Sequence, residues 1–320
     1  MPKFKPIRNK LARCFLAEFL GTFLLLLVGL AGVAQVVLSK KADGDFFSIN
    51  ACWGMAVTLG VYASAEVSGA HLNPAVTVAL AIFRKFSWNH VPVYFIAQYL
   101  ASFTGAALVY FVYKDGLDNF DGGIRQVTGE NASAGVFATY PKSFVSTGRC
   151  FVDQIVGTGL LTLCIAAITD GKNMKPQKGL LPFSIGSIVF IIGVTFGFNC
   201  GYAINPARDL SPRLFTLMAG WGTEVFSFRD YNWFWVPILG PHIGAILGIL
   251  IYDVTVGFHW ESAEPEIDEA KNLKDGEFAS MTLEKGMYMI QFSTAKFNQN
   301  YSIKSTDMFT MRLSYLQQLL

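Results

Sequence analysis

The stretch SGAHLNPAVTVAL, Ser68 to Leu80, opens an apolar run with a histidine, an asparagine and a proline, and 132 residues later CGYAINPARDLSP, Cys200 to Pro212, repeats the Asn-Pro-Ala. Asparagine is among the best helix N-caps because its side-chain oxygen accepts from a free amide of the first turn, and proline suits the next position because it has no amide to satisfy. Asn73–Pro74–Ala75 and Asn205–Pro206–Ala207 are therefore each expected to open a helix. The apolar stretches that follow, Asn73 to Phe83 and Asn205 to Ala219, are shorter than the ~20 residues needed to cross a hydrocarbon core of about 30 Å. Each follows directly on a longer apolar run, so both read as half-helices.

The rest of the chain supplies the longer runs. Of 320 residues, 52% are hydrophobic and 15% charged, against roughly a quarter charged in a soluble domain. Nearly uncharged runs extend over Cys14–Leu38 (broken by Glu18), Phe46–Ala65, Val91–Tyr113, Phe151–Thr169, Gly179–Phe198 and Tyr231–Tyr252. In lipid the backbone must satisfy its own hydrogen bonds, so these six runs are expected to be transmembrane helices. The fold expected is an all-α membrane protein with six transmembrane helices and two reentrant half-helices. The first run lacks a small-residue cleavage site and is too long for a signal-peptide core, so it is read as a retained span and the chain as mature protein. A net charge of +2 gives no reason to expect a nucleic-acid partner. The five cysteines are scattered in or beside apolar runs, without metal-ligand spacing, and read as packing residues, so neither a metal nor a cofactor is expected.

Six crossings put both termini on one side. Lys3, Lys5, Arg8, Lys10, Arg13, Arg84, Lys85, Lys172, Lys175 and Lys178 all fall on that side, which the positive-inside rule makes cytosolic. The loop 114–149 is then extracellular, and it holds the glycosylation sequon Asn131–Ala132–Ser133. A second sequon, at Asn300, falls in the cytosolic tail and is expected to stay unmodified. LAEFLGTFLLLL from Leu16 is echoed by VDQIVGTGLLTL from Val152. Each half holds three spans and a half-helix, and because three is odd the second half enters from the opposite face, an inverted repeat with a site at the midplane. The organisation expected is a cytosolic segment 1–10, a channel-like body 11–258 (repeats of about 11–113 and 150–258) and a cytosolic tail 259–320. In that tail seven acids face two lysines between Glu261 and Glu277, and it is expected to lack structure.

If the half-helices enter from opposite faces, Asn73 and Asn205 meet near the bilayer centre with their positive dipole ends facing. With both oxygens engaged in capping, both NH2 groups would point into the lumen as donors. Donors, two dipole ends and no carboxylate suit a neutral hydroxyl compound and repel cations. The alternative is that the two boxes merely cap ordinary reentrant segments.

SGAHLNPAVT, GYAINPARDLSPRLFT, the glutamate of AEFLGTF and the six-plus-two inverted layout resemble the major intrinsic protein family, the aquaporins, and specifically its glycerol-conducting branch, over roughly Leu11 to Phe258. The resemblance implies a right-handed bundle packed as a homotetramer, each subunit with its own pore. It also implies passive conduction of glycerol, water and other small neutral solutes such as urea. It places the outer constriction at Trp53, Gly193, Tyr202 and Arg208: Arg208 as cation and donor, Trp53 and Tyr202 as an apolar wedge, and Gly193 as room where water-selective members carry histidine. Asp209, Arg213, Pro237 and Ile238 also match the glycerol branch. Taken singly, Asp209 and Arg213 could be a plain surface pair and Trp53 an interface anchor.

Glu18 is a lone acid within a span; the resemblance gives it loop-holding work, with the neutral Gln154 as its repeat partner. Its other reading is a coupling-ion or proton site. That keeps open an ion-coupled secondary transporter, which also uses inverted repeats and broken helices. No nucleophile–base set or metal cluster supports an enzyme. His71, two residues before Asn73, is either a structural loop residue or a pH gate at the cytosolic opening. Glu66 is expected to reach cytosolic water.

Overall fold

The computed structural model describes residues 6–260 and, beyond them, strand residues 278–284, 287–294 and 297–304. The other residues of the expected tail, and Lys3 and Lys5 of the first basic cluster, lie outside the described residues.

Six helices long and apolar enough to cross a membrane are present among the described residues: α1 (Lys10–Leu38), α2 (Phe46–Ser68), α4 (Val91–Val112), α6 (Thr147–Thr169), α7 (Leu181–Cys200) and α10 (Val236–Thr255). The half-helices are α3 (Pro74–Ile82) and α8 (Pro206–Thr216), and short helices α5 (Lys114–Asp121) and α9 (Glu224–Ser227) lie in the connections. Local signals set the ends. Asn9 caps α1 through the Leu11 and Ala12 amides, Asp45 and Ser48 form a capping box on α2, and Pro92, Pro182 and Pro237 enter the first turns of α4, α7 and α10. The last span begins at Val236 rather than Tyr231, because Arg229, Asp230 and Tyr231 take left-handed backbone conformations that no helix can use.

The two halves pack alike. α1 lies against α2 and α4, α6 lies against α7 and α10, and α2 against α7 joins the halves. Glycines permit the close crossings: a β-carbon on Gly60 of α2 would stand 2.6 Å from the Gly21 carbonyl of α1, and one on Gly244 of α10 would strike the Ile155 carbonyl of α6. Backbone-to-backbone approach of this kind is how apolar helices associate in lipid. Each half-helix also reaches across, α3 packing on α10 and α8 on α4.

The connection 114–149 is not a plain loop. It carries α5, and its segment Ala134 to Ala138 is wholly buried except for Gly135. The tail also differs from expectation: β1 (Phe278–Glu284), β2 (Met287–Thr294) and β3 (Phe297–Lys304) form an antiparallel sheet in that order. Met281 lies opposite Ile290, and Ile290 opposite Tyr301. Aromatic, β-branched and Met residues in these stretches favour extended pairing, a signal that the acidic start of the tail masked. The chain divides into two compact units, residues 1–260 and 261–320.

Candidate functional site

The turn into each half-helix is built the same way twice. Gly69 and Gly201 end α2 and α7 in left-handed conformations (φ +86° and +78°), Ala70 and Tyr202 follow at +51° and +35°, and Leu72 and Ile204 at +53° and +43°. A left-handed non-glycine residue costs about 1–2 kcal/mol, and β-branched Ile204 tolerates it worst. Something must hold these turns. Glu18 of α1 does so in the first: its carboxylate accepts from the His71 amide (2.9 Å), the Leu72 amide (2.8 Å), the Ser68 hydroxyl (2.7 Å) and the Gln98 side chain (2.9 Å). In the second, Gln154 of α6 accepts from the Ile204 amide at 2.9 Å, and its NH2 donates to Cys200 Sγ at 3.2 Å. Cys200 thus stands where Ser68 stands in the first half. The loop-holding reading of Glu18 matches this geometry, and with four donors on a fully buried carboxylate it has no oxygen lone pair left for a coupling ion.

Asn73 and Asn205 cap as the sequence predicts: Asn73 Oδ1 accepts from the Ala75 amide at 2.9 Å, and Asn205 Oδ1 from those of Ala207 (3.1 Å) and Arg208 (3.3 Å). Their amide groups do something the sequence did not disclose. Asn73 Nδ2 donates to the Ile204 carbonyl and Asn205 Nδ2 to the Leu72 carbonyl, both at 2.8 Å. The expectation that both NH2 groups are given wholly to the lumen is corrected: each spends one hydrogen tying its helix to the opposite repeat and keeps one. Pro74, Ala75, Pro206 and Ala207 are buried in the first turns behind them. Both asparagines line a narrow cavity of about 220 Å³, which also meets Trp53, Tyr202, Arg208 and His71.

Beside the Asn205 turn Arg208 donates from Nη1 to the Phe137 carbonyl at 3.0 Å, and its guanidinium carbon stands 4.5 Å from the Trp53 ring centre. Trp53, Tyr202 and Arg208 are thus brought together, as expected. Gly193 is nearby but does not line the cavity. A β-carbon there would stand 2.7 Å from Tyr202 Cζ and Oη, and one on Gly197, a turn further along α7, 2.9 Å from Tyr202 Cδ1. The space left by Gly193 is not open lumen; it is the bed on which the Tyr202 ring lies, and Gly197 is the half of that bed the sequence reading missed.

Asp209 and Arg213 are no surface pair. Both side chains are buried, Arg213 Nε and Nη2 donate to Asp209 Oδ1 at 3.0 and 2.8 Å, and Arg213 also donates to the Val225 and Thr139 carbonyls. Asp209 Oδ2 in turn accepts from the Thr139 amide and hydroxyl. The segment Phe137 to Thr139 therefore positions both Arg208 and α8, and only its apolar character within a polar loop could have hinted at it.

Beside the Asn73 turn the His71 ring lies between Phe86 and Tyr94, with centroids 4.6 and 4.9 Å away. Its Nδ1 is 3.1 Å from the Thr77 hydroxyl, which itself donates to the Asn73 carbonyl; the network assigns the ring proton to Nδ1. Glu66 is exposed and pairs with Lys178 at 2.9 Å. Outside the spans two carboxyls sit below the usual range: Asp118 because Lys114 and Arg125 donate to it, and Asp170 because the Lys172 amide, Tyr252 and Trp260 do. Asn131 is half-buried and lines a second cavity with Phe46 and Gly201, and the Ser133 hydroxyl of its sequon donates to Asp121 at 2.8 Å.

The sequence profile of the major intrinsic protein family matches residues 6–252. Aquaporin-9 of Mus musculus is 46% identical over 261 residues, covering 82% of this chain and 88% of that protein. Aquaporin-10 of Homo sapiens is 43% identical over 263 residues, covering 82% and 87%. The X-ray structure of the aquaglyceroporin from Plasmodium falciparum superposes with a TM-score of 0.69 at 34% identity, over 77% of this chain and 97% of that one.

Proposed function

Because the chain belongs to the major intrinsic protein family, we propose that it is a passive channel for glycerol and water, open to other small neutral solutes such as urea and closed to ions and protons. The observation that carries this is the pair of capped helix starts tied together at the centre of the cavity. Two helix N-termini of about half a positive charge each and two amide hydrogens meet a solute there with donors and with no free carboxylate. A hydroxyl oxygen is welcomed; a cation is not. At the outer end, the Trp53 and Tyr202 rings offer an apolar wall to carbon while Arg208 binds oxygen, a combination that suits glycerol beyond water. The saturated bonding of Glu18 speaks against the ion-coupled transporter.

Stopped-flow measurement of water, glycerol and urea fluxes in vesicles holding the purified protein tests the reading. All three are expected to follow the solute gradient without regard to Na⁺ or pH gradients, and dependence on an ion gradient would overturn it. The same vesicles test His71. Burial between Phe86 and Tyr94, with Glu18 bonded to its own backbone, disfavours a second proton on the ring. Glycerol flux between pH 5 and 8 is then expected to be level in wild type and in His71→Ala alike; a pH dependence that His71→Ala removes would establish a gate. The body 11–258 forms the channel, with termini in the cytosol, the Asn131 loop outside the plasma membrane, and a homotetramer as the assembly.

A further inference from the structure

Asn50 lies on α2, one helical turn before Trp53 and on the same face. Its side chain is fully buried, yet neither its oxygen nor its nitrogen has a hydrogen-bond partner. The Tyr202 hydroxyl is likewise buried and unpartnered. The two converge: Asn50 Oδ1 is 2.5 Å and Tyr202 Oη 2.7 Å from where a β-carbon of Gly193 would stand. Unpaired buried polar groups are rare, and two that face one point behind the cavity wall are each other's available partners. Tyr202 lines the cavity and Asn50 does not, so the ring is offered to the lumen while the hydroxyl is turned to the wall.

We propose that Asn50 is a positioning residue for solute selectivity: it draws the Tyr202 hydroxyl away from the lumen across the bare Gly193 surface, so that the cavity meets the ring's apolar face. This rests on the channel reading above. Without Asn50 the phenolic hydroxyl loses the polar group it faces in the wall, turns toward solute and water, and makes the aperture narrower and more polar. Carbon-bearing solutes lose more than water does.

The test is the glycerol-to-water permeability ratio in vesicles carrying wild type, Asn50→Leu, Tyr202→Phe and the double variant. Asn50→Leu is expected to lower the ratio roughly fivefold, the factor corresponding to one net hydrogen bond. Tyr202→Phe, which has no hydroxyl to misplace, sets its own ratio, and in its background Asn50→Leu has no further effect. The proposal is overturned if Asn50→Leu leaves the ratio unchanged, or lowers it as much with Phe at 202 as with Tyr. The ratio is taken over functional channels alone, so reduced yield does not move it. Should Asn50→Leu fail to reach the membrane, Asn50→Ala and Asn50→Ser replace it: loss of the ratio in Ala with retention in Ser supports the bond, and equal ratios sink it. A wild type that passes no glycerol would refute the channel reading instead.

Discussion

Gly193 illustrates how one absent side chain can act at a distance from the lumen. The sequence suggests that a glycine makes room for solute; the structure gives that room to Tyr202. Gly193→His must therefore expel the Tyr202 ring toward the cavity as well as add an imidazole. Glycerol permeability should fall by roughly an order of magnitude or more, since overpacking of this kind amounts to about 1–3 kcal/mol, while water permeability falls less. Gly193→Ala, whose β-carbon alone meets Tyr202 Oη and Asn50 Oδ1, should fall between. Unchanged glycerol conductance in the histidine variant would show that the ring does not rest there. The capping asparagines were legible in the sequence because a cap is a local device, satisfied within three residues. Their amide ties to Leu72 and Ile204 were not, because those partners lie more than 130 residues away in the chain.

At the scale of elements, the two turns differ in what supports them. Glu18 receives two backbone amides and two side-chain donors; Gln154 receives one backbone amide and gives its own hydrogen to a sulfur. Each donor left buried without an acceptor costs about 1–3 kcal/mol. Glu18→Leu should accordingly lower the thermal midpoint of the detergent-solubilised protein several times as much as Gln154→Leu does, and equal shifts would refute the asymmetry. The elements themselves were largely readable, since uncharged runs of span length and an Asn-Pro start are signals of composition and local geometry. What escaped was the buried Phe137–Thr139 segment, whose role lies in carbonyls and amides that any residue carries. A side-chain pattern cannot announce a backbone acceptor.

For the whole molecule, the orientation proposed from charge placement has a direct check. If the loop 114–149 faces outward, protein expressed in eukaryotic cells should carry one glycan, lost on glycosidase treatment and absent from Asn131→Gln. A glycan that persists in that variant would point to Asn300 and reverse the topology. Since the Ser133 hydroxyl becomes bound to Asp121 and meets the Trp221 indole, attachment must precede closure of that loop. The inverted symmetry was visible as two echoes, but its exchange of half-helices was not: α3 rests on α10, and α8 on α4. During synthesis, a chain that has emerged only as far as its third span holds a finished α3 that has α4 beside it but lacks its larger partner, α10. The conduit can therefore form only as a late event, after the final span has been delivered to the bilayer, and a nascent chain stalled before Val236 should leave its first Asn-Pro turn open to chaperones and to quality-control proteases.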